Sequence, residues 1–291
     1  MNTASTTADA DVSRDEVETS SVSKTKLPSR SRLGAEFGTI YALWIRDLLH
    51  LARARSRWAG VVMQPLLFWL VIGSGMRSVF RIEGFEGVDY LDYFFPGILA
   101  MVVLFTAVFA TMSVIEDRKS GFLQQVMVSP ASRASLVLGK TAGVTTMALI
   151  QCAACMLVAP AAGVDLMAVD WLTLLGVLTL GCAGLTALNF VMAWLIDSVA
   201  GYHAIMGVLL LPLWVLSGAM FPASEGWVGT AMMANPMAYL VDGVRHALAG
   251  GSSPVANTTM GIVWIVLAAS LLCFTLLSVT VVGRRSQGGR A

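Results

Sequence analysis

The residues best suited to bind a nucleotide form one triplet, Gly139-Lys140-Thr141. This triplet reproduces the end of the phosphate-binding loop G-x-x-x-x-G-K-[ST], in which backbone N–H groups and a lysine hold the phosphates. The leading glycine of that loop is missing, because position 134 is alanine. The triplet also begins an apolar stretch instead of following a parallel strand, so a phosphate cradle has no scaffold here. We therefore expect this chain to bind no ATP of its own.

Side chains for metal or redox chemistry are equally sparse. The histidines His50, His203 and His246 lie on three separate segments, with no partner at metal-ligand spacing. Cys152 and Cys155 form a C-x-x-C motif, which in a soluble protein would suggest a metal or redox site. Here the pair lies among alanines in an apolar run, where small residues at helix–helix contacts explain it better. We predict no catalytic residue, metal ligand or bound cofactor in this chain.

The elements that carry these residues are those of a membrane protein. Of the 291 residues, 56% are hydrophobic and only 13% are charged, whereas ordinary soluble domains have roughly 25% charged residues. The apolar runs between the charged segments are long enough to cross a bilayer, which takes about 20 residues per helix. The formal net charge of +1, without a clustered basic patch, argues against nucleic acid as a partner. We expect an all-α integral membrane protein.

The chain divides into three predicted parts: a disordered cytoplasmic tail at 1–30, a transmembrane domain at 31–285 and a short cytoplasmic tail at 286–291. The first 30 residues are rich in Ser, Thr, Asp and Glu and cannot bury enough apolar surface to become ordered. The transmembrane domain contains six predicted transmembrane helices, at about 58–77, 94–115, 141–162, 171–195, 202–221 and 259–282.

An amphipathic helix is predicted between Ser31 and Arg57, just before the first span. Its apolar residues recur at helical spacing, while Arg46, Asp47 and Arg53 take the other side. Such a helix can lie in the membrane interface with its basic residues near anionic headgroups. The alternative is an ordinary soluble helix packed on a partner. Membrane lipids are therefore among the predicted partners.

The distribution of Lys and Arg predicts how the chain is oriented. Nine of them precede the first span, four lie between spans two and three, and three follow the sixth. Only Arg77, Arg81 and Arg245 fall on the opposite side. Because Lys and Arg are enriched in cytoplasmic loops, we expect a multi-pass protein of the cell inner (plasma) membrane with both termini in the cytoplasm.

The source of energy is predicted to lie outside the membrane domain. The spans are nearly free of ionisable residues away from their ends, and Gln151 and Asn189 are the main polar residues within them. A proton- or sodium-coupled carrier needs buried carboxylates to hold its coupling ion. The polar segment 116–140 is longer than a connector requires, and a helix at 121–128 followed by a turn would suit a docking surface. A plain connector is the alternative.

Two ordered groups of residues lie on this six-span plan. The first consists of Glu116, Asp117, Arg118, Gly121, Ser129, Pro130, Arg133, Gly139 and Lys140. The second consists of Leu216, Ser217, Gly218, Phe221, Pro222, Asn235, Pro236, Tyr239, Asp242 and Arg245. Together they resemble the E-D/E-R-x-x-G…[ST]-P-x-x-R…G-K and L-S-G-x-x-F-P…N-P-x-x-Y-x-x-D-x-x-R patterns of type-2 ATP-binding-cassette (ABC) exporter permeases. The resemblance covers about residues 35–285. The family it points to includes daunorubicin-resistance and polysaccharide-export permeases.

The resemblance implies partners and roles that composition could not show. In this family a permease pairs with a second copy, as a homodimer, or with a paralogous permease, and two cytoplasmic ABC ATPase subunits bind ATP and Mg beneath them. The first group would supply an ATPase-coupling helix, and the second would form external re-entrant helices. Substrate would pass between the two permeases, bordered by spans one, two and five. This sequence departs from many relatives in having no second proline between 223 and 234, which leaves the shape of the re-entrant region open.

We therefore expect the membrane-spanning permease subunit of an ATP-driven exporter, itself not an enzyme, whose cargo is a drug-like, lipid or glycan molecule. The alternatives are a membrane assembly or immunity factor with the permease fold, and an ion-coupled secondary carrier. Five aromatic residues could line a pathway, although the interpretation we favour is that they anchor the spans or face lipid. These five are Trp69, Phe94, Phe95, Phe105 and Trp214.

Overall fold

The computed structural model describes residues 32–53, 55–76, 89–121, 132–222 and 226–288. Within these ranges the protein is helical and contains no strand, which confirms the predicted all-α class. The helices are α1 (Arg32–Arg53), α2 (Arg55–Met76), α3 (Tyr90–Lys119), α4 (Arg133–Met156), α5 (Trp171–Leu195), α6 (Val199–Val215), α7 (Trp227–Met233), α8 (Pro236–Leu248) and α9 (Met260–Gly288), with a short 3₁₀ helix at Ala159–Ala162.

Four of these helices are long and apolar enough to cross a membrane: α3, α4, α5 and the Met260–Val282 part of α9. Two shorter apolar helices, Gly60–Met76 within α2 and Val199–Val215, accompany them. A 17-residue helix such as α6 is about 26 Å long, slightly less than the about 30 Å of a bilayer core. A membrane protein with several apolar helices is thus confirmed, whereas the count of six spans stays a prediction.

The helix boundaries differ from the predicted spans where local chemistry overrides hydropathy. The fourth predicted span coincides with α5. The fifth, 202–221, ends early at Val215, because the chain turns at Gly218, which adopts a left-handed φ of 76°. The third, 141–162, begins earlier, because the Ser132 side chain caps α4 by accepting from the Ser135 N–H. Residues 133–140 of the predicted coupling segment are therefore part of α4.

The core of the bundle is built around α3. Phe94, Phe95, Ile98 and Leu99 of this helix are completely buried, because α2, α4, α5, α6 and α8 all pack against α3. Of the four long apolar helices, α9 is the least buried, and several of its apolar side chains are exposed, with Ile265 at 69%. Apolar side chains directed outward from a long helix are what lipid contact requires.

A pair of glycines brings α1 into close contact with the bundle. A Cβ added at Gly139 would lie 2.9 Å from the Leu43 Cβ and 3.1 Å from the Ile40 carbonyl oxygen. Gly143, one turn further along α4, lies against Trp44 and Asp47 in the same way. The G-x-x-x-G spacing of α4 thus packs α1 and α4 together, as small residues do between membrane helices.

The two faces of α1 are arranged differently from the predicted interface helix. Asp47 was predicted on the polar side of the helix, away from the apolar face, but it is buried against the bundle. Arg46 also turns inward, toward Asp117. Apolar residues face outward on the described part of α1: Phe37 is 71% exposed, Tyr41 is 60% exposed and Leu49 is 50% exposed. An apolar outer face still suits a helix at a lipid surface.

Candidate functional site

Two polar clusters lie at opposite ends of the bundle. We name the first the Lys140 cluster; it consists of Arg46, Asp47, Asp117 and Lys140. The second, the Arg245 cluster, consists of Tyr93, Gly218, Asp242, Arg245, Asn257 and Thr258. Tyr93 and Asp117 both belong to α3, near its first and last turns, so about 36 Å of helix separates the clusters.

The Lys140 cluster pairs two cations with two carboxylates. The Lys140 Nζ atom lies 2.8 Å from Asp117 Oδ2 and 3.2 Å from Asp47 Oδ2. Arg46 Nη2 lies 2.5 Å from Asp117 Oδ1. Lys140 is only 2% exposed, and a buried charge is costly unless it is paired. The cluster therefore ties α1, α3 and α4 together through ionic contacts.

Arg118, the next residue after Asp117, extends toward a different pair of helices. Its Nη1 and Nη2 groups donate to the carbonyl oxygens of Trp194 (2.6 Å) and Ile196 (2.5 Å). Its Nη2 also lies 3.1 Å from Asp197 Oδ1. The last carbonyls of a helix have no partner within the helix and favour a cation. Arg118 thus caps the end of α5 and fastens the α5–α6 connection to α3.

The structure distributes the predicted ATPase-coupling residues over different environments. Glu116 is exposed, whereas Asp117 and Arg118 make the intramolecular contacts above. Gly121 follows α3 with a left-handed φ of 76°, and Arg133 is the exposed first residue of α4. Ser129, Pro130 and the predicted 121–128 helix beyond Gly121 lie outside the described residues. The coupling role of this group stays a prediction.

Sequence reasoning did not find the Lys140 cluster. It placed Arg46 and Asp47 on the polar side of an interface helix and interpreted Lys140 as part of an incomplete phosphate loop. The partners in the cluster are 71 and 93 residues apart in the chain, so no local spacing joins them. The usable signal was the Gly139-x-x-x-Gly143 spacing, which predicts a close helix contact beside Lys140.

The Arg245 cluster is centred on one buried guanidinium group. Arg245 Nη2 donates to the Gly218 carbonyl oxygen at 2.6 Å, and Nη1 donates to Asp242 Oδ1 at 3.2 Å. The guanidinium carbon lies 4.4 Å from the centre of the Tyr93 ring, a cation–π arrangement. The Tyr93 hydroxyl donates to the same Gly218 carbonyl at 2.9 Å. Arg245 and Tyr93 together hold the turn that follows α6.

Asp242 fixes the connection between α8 and α9. Its Oδ2 atom accepts from the Asn257 backbone N–H and from the Thr258 hydroxyl, both at 3.0 Å. His246, one turn later, accepts from the Ser253 N–H at Nδ1 (3.0 Å) and contacts the Thr258 carbonyl oxygen through Nε2 (2.7 Å). The D-x-x-R part of the motif thus joins α8 to the segments on both sides of it.

The N-P-x-x-Y part of the motif joins the end of α6 to the start of α8. The Asn235 Nδ2 group donates to the carbonyl oxygens of Leu213 (2.6 Å) and Leu216 (3.1 Å), while its Oδ1 atom accepts from the Met237 N–H. Pro236 occupies the first turn of α8, where its missing N–H costs nothing. The Tyr239 hydroxyl donates to the Met233 carbonyl at 2.8 Å.

The S-G-x-x-F-P part forms the turn itself. The Ser217 hydroxyl donates to the Trp214 carbonyl, and the positive φ of Gly218 suits a residue without a Cβ. A Cβ added at Gly97 of α3 would lie 2.6 Å from the Ala219 Cβ, so the turn lies close against α3. Phe221 and Pro222 are exposed. The short helices α7 and α8 follow this turn, at the place where re-entrant helices were predicted.

A cavity of about 280 Å³ lies between α3 and α6. Its lining is mainly apolar and aromatic and includes Leu104, Phe105, Phe109, His203, Leu211 and Trp214. The predicted lipid-facing position is wrong for four of the five aromatic residues singled out above, because Trp69, Phe94, Phe95 and Trp214 are buried. Only Phe105 and Trp214 of the five contact the cavity.

Comparison with known proteins agrees with these motifs. Residues 78–280 match the family model described as ABC-2 family transporter protein. The transport permease ycf38 of Cyanophora paradoxa is 28% identical over 212 residues, which cover 71% of this chain and 72% of the relative. Nodulation protein J of Rhizobium leguminosarum bv. viciae is 24% identical over 246 residues, which cover 81% of this chain and 92% of the relative. Because the family match covers more than half of its length, this chain belongs to the ABC-2 transporter family, as a membrane-spanning transport permease.

Proposed function

We propose that this chain is the permease subunit of an ATP-driven exporter and works as a dimer with separate cytoplasmic ATPase subunits. The observation that carries the proposal is the ABC-2 family match over residues 78–280. Permease subunits of this family are in general transport components without enzymatic activity, so we assign ATP hydrolysis, with its ATP and Mg, to a partner subunit.

The Lys140 end of the bundle faces the cytoplasm in this proposal. The excess of Lys and Arg in the segments at this end supports that orientation. Glu116, Lys119 and Ser120 are exposed there, around the end of α3. The 122–131 segment, which follows in the sequence, lies outside the described residues. We assign the ATPase contact to this segment together with the exposed residues at the end of α3.

The second permease copy is proposed to lie against α2 and α6. Leu67 and Val71 of α2 are 54% and 65% exposed, and Val208 and Leu211 of α6 are 78% and 54% exposed. These apolar faces adjoin α3, which forms one wall of the cavity. A dimer formed there would enclose the cavity between the two copies, where the family resemblance implies the substrate path.

The cargo is proposed to be an amphipathic drug, a lipid or a lipid-linked glycan. An apolar cavity of about 280 Å³ can hold the apolar part of such a molecule, and ligand sites of this kind combine an apolar lining with a few polar groups. His203 supplies a polar group in this lining, with its ring 6.0 Å from that of Phe109.

The test is transport into vesicles by the purified complex, against a panel of drugs, labelled lipids and lipid-linked glycans. We expect an ATPase subunit to co-purify and at least one cargo to move only when ATP is present. Gly207 lines the cavity, and a Cβ added there meets no atom within 4 Å, so a larger side chain can extend into the cavity without a clash at its base. Gly207→Trp should therefore fill the cavity and abolish cargo transport. Ile265→Trp, on the exposed face of α9 and outside both the cavity lining and the proposed dimer contact, is the control.

Two outcomes would contradict the proposal. Movement driven by a proton or sodium gradient without ATP would indicate a secondary carrier. Absence of both a co-purifying ATPase and any transported cargo would favour an assembly or immunity factor.

A further inference from the structure

We propose that Arg118 is a positioning residue that transmits movement of the coupling segment to the α6 wall of the cavity, without contacting the ATPase itself. This inference rests on the proposed function and assigns Arg118 a different partner from the one that the family motif implies. The partner is the end of α5 and the connection to α6.

The geometry of Arg118 is that of an internal clamp. Both terminal nitrogens of its guanidinium donate to backbone carbonyls, at 2.5 and 2.6 Å, and the group lies 6.0 Å from the Trp194 ring centre. The third contact, Asp197, has a side chain that is 76% exposed. A planar guanidinium that makes two hydrogen bonds fixes direction as well as distance. Arg118 therefore sets where α5 ends relative to α3.

The clamped segment leads directly into the cavity wall. α6 begins at Val199, two residues after Asp197, and is capped by Ser198, whose Oγ accepts from the Gly201 N–H at 2.9 Å. The Tyr202 hydroxyl then contacts Asn189 Oδ1 at 3.2 Å, which keeps the start of α6 against α5. His203 and Met206 in the next turn line the cavity. A displacement of Arg118 would therefore move the α6 wall.

The other side of the clamp is equally well fixed. Asp117, beside Arg118, is held by Lys140 at 2.8 Å and by Arg46 at 2.5 Å. Gly121, three residues further on, is the last described residue before the 122–131 segment. Two consecutive residues at the root of the coupling segment thus hold α1 and α4 on one side and α5 and α6 on the other. A movement of the coupling segment at Asp117 and Arg118 would therefore displace both helix pairs.

The experiment compares Arg118→Gln with Arg53→Gln, in the permease purified with its ATPase and reconstituted in vesicles. Both substitutions remove one arginine charge, but Arg53 is exposed at the end of α1 and is not part of the proposed ATPase contact. Spin labels at Phe105→Cys and Leu211→Cys, both lining the cavity, report the α3–α6 distance in a Cys273→Ser background. ATPase recovery and ATP hydrolysis are measured on the same preparations.

We expect ATP with vanadate to change the label distance in the otherwise unaltered protein and in Arg53→Gln. In Arg118→Gln the change should fall to less than about a third, while ATPase recovery stays within about twofold. Arg118→Lys should restore part of the change, because an ammonium can replace one of the two carbonyl contacts. Arg118→Lys also serves as the test variant if Arg118→Gln does not fold.

A full distance change in Arg118→Gln, or in Arg118→Lys where that variant is used, would overturn the inference. So would a loss of ATPase recovery of more than about fivefold, because Arg118 would then be a docking contact. If the unaltered protein shows no co-purifying ATPase and no nucleotide-dependent distance change, the proposed function itself fails. This outcome is distinguishable from the two above, because they are defects of the Arg118 variants alone.

Discussion

The two ends of the bundle use buried charge in different ways. In the Lys140 cluster, four ionised side chains from three helices pair with one another over 71 and 93 residues of sequence. In the Arg245 cluster, one ion pair lies within a single helix, at i and i+3, and its other contacts are to a turn and a connection. The first cluster fastens helices to helices, while the second fastens connections to helices. We interpret the Lys140 cluster as the part that transmits movement between helices. We interpret the Arg245 cluster as a rigid support for the connections at its end of the bundle.

The largest expected effect is that of Lys140→Met. This change leaves the buried Asp47 and Asp117 carboxylates with Arg46 as their remaining cation among the contacts described. Removal of one partner from a buried ionic group costs about 3–5 kcal/mol, so thermal unfolding in detergent should shift strongly downward. Lys119→Met, at an exposed position, is the control. An unchanged unfolding temperature for Lys140→Met would mean that the cluster does not hold the helices together.

Arg245→Met should have a smaller effect, because Asp242 keeps hydrogen bonds from Asn257 and Thr258. Hydrogen bonds to charged groups contribute about 1.5–3 kcal/mol, and we expect a loss of about 2–3 kcal/mol in the same unfolding assay. Limited proteolysis of the 249–259 connection should increase at the same time. If Arg245→Met destabilised the protein more than Lys140→Met, the contrast between the two clusters would be wrong.

The two clusters also differ in how far the sequence predicted them. Asp242 and Arg245 were singled out because the sequence resembles the family motif at these positions, and a helix brings residues three apart together. Gln151 and Asn189 were likewise placed within spans. The Lys140 cluster could not be predicted, because charges at span ends are common and nothing local specifies their partners. The end of α6 was missed because the apolar run continues beyond Val215, and hydropathy does not register the turn at Gly218.

Two glycine substitutions should change stability in opposite directions. Gly139→Ala places a Cβ 2.9 Å from that of Leu43; overpacking costs about 1–3 kcal/mol, partly offset by the higher helix propensity of alanine. We expect a net loss of about 1–2 kcal/mol. Gly38→Ala in α1 meets nothing within 4 Å and should gain about 0.5–1 kcal/mol. Equal effects in the unfolding assay would show that α1 is not packed on α4 as described.

Thiol labelling tests which end faces the cytoplasm without changing stability. Ser120→Cys and Ser252→Cys are exposed positions at the Lys140 and Arg245 ends, and both are made in a Cys273→Ser background. An impermeant thiol reagent added outside intact cells should label position 252 and leave position 120 unlabelled. The reverse pattern would place the Lys140 end outside and exclude its contact with a cytoplasmic ATPase.

The central claim, that the Lys140 end receives energy from an ATPase, is tested most directly by a paired substitution at that end. Glu116→Lys with Gly121→Trp alters an exposed charge and a glycine with nothing within 4 Å of an added Cβ. Ser252→Lys with Gly251→Trp adds one positive charge at the Arg245 end, where Gly251 is equally open. Gly121 and Gly251 both have a positive φ (76° and 126°), so the tryptophan strains the backbone in both variants. ATPase co-purification and ATP-dependent export are measured for both. We predict that both proteins insert normally, and that only the first loses ATPase recovery or hydrolyses ATP without export. Full export and normal ATPase recovery in the first variant would contradict the account.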